Sequence, residues 1–111
     1  MSIAYRVVFV GEPAVGHLEF VSEAAAALIG LTPDDIIAHP GQWTAAVHPD
    51  DVDTFVQTTG HVILSGVPSV RAYRLHHPES GAHRMVEDRL SPILREDGSV
   101  SGYEAVVTLA N

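Results

Sequence analysis

The sequence predicts an α+β domain: a five-stranded antiparallel sheet with short helices and one longer helix packed on one face. Three observations predict it. Two short apolar runs rich in β-branched and aromatic residues open the chain around a Gly/Pro cluster, and three more close it around turn clusters. Helix start signals are confined to the middle, from Ser22 to about Leu64. The length of 111 residues leaves room for one ordinary core and no second.

The elements follow in order. Tyr5 to Val10 and Leu18 to Val21 flank Gly11-Glu12-Pro13 and Gly16, which reads as a hairpin. Ser22 is a good N-cap for an alanine-rich helix to Ile29, with Glu23 in its first turn and Gly30 as its stop. Thr32-Pro33-Asp34-Asp35 starts a second, brief helix: a capping hydroxyl, Pro at the first helical position, then carboxylates. Pro40-Gly41 ends it, and Trp43 to Val47 leads on to His48-Pro49-Asp50-Asp51, where the long helix begins. In that helix Val52, Phe55, Val56, Thr59, Val62 and Ile63 recur at three- and four-residue steps, giving one apolar stripe. Ser65 to Pro68 closes it. Strands are predicted at Val70 to His76, Arg84 to Leu94 and Val100 to Leu109, separated by Pro78-Glu79-Ser80-Gly81 and Glu96-Asp97-Gly98-Ser99. Pro92 lacks a ladder donor and belongs at an edge, a bend or a bulge. Consecutive hairpins favour antiparallel pairing with the helices on one face.

Composition narrows the chemistry. The formal net charge is −8, from 6 basic and 14 acidic residues, which disfavours phosphate backbones and anionic lipid. We therefore expect neither a nucleic-acid nor a membrane partner. All the basic residues are Arg, so Schiff-base, P-loop and Ser-Lys chemistry are excluded. Cysteine is absent, which removes disulfides, thiolate nucleophiles and Cys-ligated zinc. With no signal-peptide pattern and no apolar run near the ~20 residues of a bilayer span, a cytoplasmic setting is expected. No nucleophile context or other catalytic constellation is visible, so the domain itself is not read as an enzyme.

Several motifs together carry a resemblance. Gly16 to Ser22, then Leu28-Ile29-Gly30-Leu31-Thr32-Pro33-Asp34-Asp35-Ile36, resembles the first half of a PAS domain. Trp43 followed by Val47-His48-Pro49-Asp50-Asp51 looks like the W…HPDD element of the PAS subclass that ends in a PAC motif. Tyr73-Arg74-Leu75, Arg84 to Glu87, Ser91-Pro92-Ile93, Asp97-Gly98 and Gly102 fit the second half, so the likeness spans roughly Val8 to Thr108. It implies a PAS-like five-stranded sheet and a single sensory module over residues 1–111, excised from a longer signalling protein such as a kinase, cyclase or phosphatase. The Asp-Ile-Thr-like ending usual in the family is replaced here by Leu109-Ala110-Asn111. The aromatic usual after Arg84 is Met85, read as a more adaptable core filler.

The resemblance also frames the site. Phe20, Leu28, Ile36, Trp43, Val47, Phe55, Tyr73, Leu75 and Leu90 are expected to converge between sheet and helices. They form either a pocket for a small apolar or aromatic ligand, with Tyr73 and Trp43 as polar handles, or a filled core. Without Cys, no covalent flavin adduct can form. Haem-binding relatives supply a His where this chain has Thr54 and Phe55, and His61 lies about two turns later, which disfavours haem. His48, Asp50 and Asp51 read as caps of the long helix. His76, His77 and His83 flank one turn, at a solvent-facing tip, and no metal site is assigned to them. Arg74 and Arg89, near Glu87 and Asp88, read as ion pairs on the outer sheet face, or as a surface for a second copy or an adjacent domain.

Overall fold

The computed structural model describes residues 4–10 and 15–110. Strands β1 (Tyr5–Val10) and β2 (Val15–Val21) precede helices α1 (Glu23–Leu28), α2 (Pro33–Ala38) and α3 (Gly41–Ala46). A 3-10 turn (Pro49–Asp51) leads into α4 (Val52–Ser65), and β3 (Ser69–His76), β4 (His83–Leu94) and β5 (Val100–Leu109) complete the chain. The sheet order is β2-β1-β5-β4-β3, antiparallel throughout, with the two chain-terminal strands β1 and β5 side by side. This is the α+β architecture expected. The predicted Gly11-Glu12-Pro13 turn lies outside the described residues. Among those described, no helix is long and apolar enough to cross a membrane.

Local chemistry sets the helix starts. Ser22 Oγ accepts from the Ala25 N–H at 3.2 Å. Thr32 and Asp35 close a reciprocal capping box, each side chain accepting the other's backbone N–H. One helix was not anticipated. Gly41–Ala46, overlapping the Trp43–Val47 stretch read as a lead-in, forms α3, because Pro40 already holds αR geometry and the turn buries Trp43. Helix α4 turns Phe55 and Val62 inward, whereas Val56 is exposed, so its apolar stripe is narrower than the spacing suggests. It ends at Gly66, whose φ of +68° is the left-handed cap geometry that glycine adopts without strain.

Two strand positions depart from simple alternation. Phe20 was expected inside, but it pairs with Arg6 and is exposed. The register slips between Arg6 and Val7, leaving Glu19 as an extra residue, so Leu18 and Val21 face the core instead. Met85 is likewise on the outer face and exposed, not a core filler. Pro92 pairs with Tyr103 on β5, but the β3 ladder has already stopped at Leu90, so its missing donor faces an unpaired edge.

Candidate functional site

The inner face of the sheet carries a buried ion pair. Arg71 on β3 and Asp88 on β4 are direct cross-strand partners, 4 % and 0 % exposed. Asp88 Oδ2 accepts from Arg71 Nε at 3.1 Å and Nη2 at 3.0 Å, from the Tyr73 hydroxyl at 2.8 Å and from the Tyr5 hydroxyl at 2.9 Å. Tyr5 reaches it from β1 because β5 puts the small, buried Ala105 opposite Tyr5. The guanidinium also spans to α4: Nη1 donates to the Phe55 carbonyl and to Thr59 Oγ1, both at 2.6 Å, and Nη2 donates to Tyr5 at 2.9 Å. Its planar face stacks 3.8 Å from the Phe55 ring centroid. Trp43 Nε1 donates to the Tyr73 hydroxyl at 3.2 Å. Burial first, and then the Asp88 carboxylate, push both phenols above the usual tyrosine range, so they stay neutral donors. Asp88 Oδ1 is buried without a partner among the described residues.

This corrects the reading of Asp88 as an outer-face partner of Arg74 or Arg89. Val86, Asp88 and Leu90 alternate inward, leaving Glu87 and Arg89 exposed outside. Arg74 binds the helix start instead: its backbone N–H and Nε each lie 2.9 Å from Asp51 Oδ2, and Nη2 lies 3.0 Å from Oδ1. Together with the His48 N–H bond to the Arg74 carbonyl and the Val47–Leu75 bridge, this docks the turn before α4 on the free edge of β3. His48 itself is a cap, its Nδ1 accepting from the Asp50 N–H at 3.1 Å.

The Arg74 bonds hold the Asp51 carboxyl at about 2, below its ordinary 3.8. A depressed folded-state pKa means this contribution is complete above the ordinary value and lost as pH falls toward 2. Asp51→Asn is therefore expected to lower Tm at neutral pH, with the deficit shrinking between about pH 4 and 2. Thermal melts across that range check it; a deficit independent of pH would refute it.

Beside the network lies a cavity of about 190 Å³ between the β1–β2–β5 inner face and helices α2–α4. Its walls include Tyr5, Leu18, Ile36, Trp43, Phe55 and Tyr103, with Thr44 among the lining residues. Of the nine expected residues, Ile36, Trp43 and Phe55 line it. Val47, Tyr73, Leu75 and Leu90 are buried in the surrounding core, Leu28 is half-buried beside β5, and Phe20 faces out. Tyr5, Leu18 and Tyr103 were missed. So was Arg71, although it shares strand parity with Tyr73 and Leu75, both expected inside.

The family model described as the PAS fold matches residues 18–107. The chain belongs to the PAS fold family. No curated protein matches it at a significant level. Among solved structures, the PAS domain is similar to an RNA-binding Light-Oxygen-Voltage receptor: TM-score 0.73, 23 % identity, over 97 % of this chain. It spans only 29 % of that receptor's chain. The N-terminal domain of a diguanylate cyclase with PAS/PAC sensor from Marinobacter aquaeolei has TM-score 0.75 and 17 % identity, covering 96 % of this chain and 93 % of its own. Drosophila melanogaster Cycle PAS-B, with bound ethylene glycol, has TM-score 0.70 and 14 % identity, covering 96 % and 99 %. At these identities the likeness is one of fold.

The PAS domain's cavity, about 190 Å³, lies below the ~300 Å³ at which small-molecule and cofactor pockets usually begin. On α4, Thr54 and His61 are exposed, and Phe55 is held under Arg71. The histidines group differently from the expected turn triplet. His83 lies 5.0 Å from His48 and 5.2 Å from His76, ring centroid to centroid. His77 instead packs against the Gly30 turn. Among the described residues no set of three His or carboxylate groups is arranged to hold a metal.

Proposed function

We propose that this PAS domain is a sensory module of a cytoplasmic signal-transduction protein, without catalysis of its own, that passes cavity occupancy to an adjoining domain. The observation supporting this is that the cavity and the buried network share Tyr5, Trp43 and Phe55. A ligand that displaces any of these side chains acts on the bonds tying β3, β4 and α4 together. For a signal to follow, the ligand must bind one arrangement of that junction more tightly than another. Bound ethylene glycol in Cycle PAS-B is consistent with small molecules associating with this fold.

A second reading is a ligand-free protein–protein or homodimerisation module using the outer sheet face. It is favoured by Val70 and Met85, which stand 55 % and 44 % exposed on adjacent strands there. Native mass spectrometry of the purified chain separates the two. Retention of a small molecule is the expected result; an empty dimer supports the second reading, and an empty monomer opposes both.

A further inference from the structure

We propose that the cavity selects small neutral molecules of about benzyl alcohol size and rejects anions and cations, because the buried charges beside it are already committed to each other. This deepens the sensory reading and rests on it. A guanidinium has five N–H donors. Here all five are used: Nε and one Nη2 proton on Asp88, the other Nη2 proton on Tyr5, and the two Nη1 protons on Phe55 and Thr59. A carboxylate or phosphate ligand thus finds no free cation. Among the described residues the network's unpartnered buried atom is Asp88 Oδ1, an acceptor that offers an anion no donor. The Tyr5 hydroxyl is also occupied, donating to Asp88 and accepting from Arg71.

A cation fares no better. The aromatic walls resemble a cation site, but the Phe55 ring is already stacked on the Arg71 guanidinium. The carboxylate that balances Arg71 lies behind the lining and is not part of it. Any ion entering gives up its hydration without a partner. A neutral molecule has no such loss, and the lining offers it uncharged polar side chains, Thr44 and Tyr103. Tyr103, a half-buried residue of the lining, has a hydroxyl that makes no hydrogen bond among the described residues. The volume of about 190 Å³ exceeds the roughly 150 Å³ that accommodates benzene in an engineered cavity.

Trp43, the single tryptophan, lines the cavity and reports occupancy by its fluorescence. The test titrates the intact chain with benzyl alcohol, benzoate and benzylammonium, and repeats it on Thr44→Phe, which blocks the cavity from the exposed face of α3. Benzyl alcohol is expected to quench or shift the emission saturably, with both ions at least about 100-fold weaker. Tyr103→Phe is expected to weaken benzyl alcohol about fivefold while leaving toluene unchanged. If either ion binds as tightly as the alcohol and loses binding in Thr44→Phe, the selectivity proposal is overturned while the cavity stands as a ligand site. If none of the compounds binds, the sensory reading of the cavity fails with it.

Discussion

Asp88→Ala is expected to destabilise the PAS domain by about 3–5 kcal/mol, because it leaves Arg71 charged, buried and short of its carboxylate. At this chain length that corresponds to a fall in Tm on the order of 12–20 °C. Two phenol donors, Tyr5 and Tyr73, lose their acceptor in the same step. Arg71→Met alone leaves the opposite charge unpaired and is expected to cost a similar amount. The double variant Arg71→Met/Asp88→Leu removes both charges. Its cost is expected to be well below the sum of the singles, since a buried pair is nearly neutral against apolar replacements of similar volume. Urea denaturation of the four proteins completes the cycle. Single substitutions each costing under 1 kcal/mol, or strictly additive ones, would show that the pair is not the linchpin of this core.

Gly102→Ala is the second large effect. Gly102 is buried on β5, and a Cβ there would collide with the Val7 carbonyl oxygen and approach the Val8 Cα to 2.9 Å. These are backbone atoms of β1, so no side chain can swing aside to relieve the clash. Accommodation requires β1 to move off β5, the pairing that joins the two ends of the chain. We expect a loss of about 3 kcal/mol or more, at the upper end of overpacking costs. Hydrogen exchange should show lost protection confined first to β1 and β2, which hang on the sheet through that ladder. Unchanged protection there would contradict the close approach.

The fold was largely legible because its signals are local. The Asp97-Gly98 turn, the Thr32 N-cap and the Ser65–Pro68 break each act over a few residues, and each stands where it was read. The site was legible only in part. Ile36, Trp43 and Phe55 line the cavity as expected, since large apolar residues between sheet and helices have nowhere else to go. Phe20 was misplaced because a bulge reverses strand parity, and the sequence has no mark for the inserted Glu19. Arg71 was overlooked for the opposite reason: parity put it inside, but a charged residue on a core-facing position conflicts with its usual preference for water.

The sequence by itself determined the family, the succession of strands along the chain, three of the four α-helices, and the exclusions that follow from the lack of Cys and Lys. Those depend on residue identity and short-range spacing alone. Only the tertiary structure decided that Asp88 faces the core. Met85 and Val86 are both apolar, so alternation could run either way; burying the Asp88 face becomes acceptable only once Arg71, 17 residues away, and Tyr5, 83 residues away, converge on one carboxylate oxygen. A buried charge is stable only with partners, and those partners are assembled by the sheet, not by the neighbouring residues in the chain.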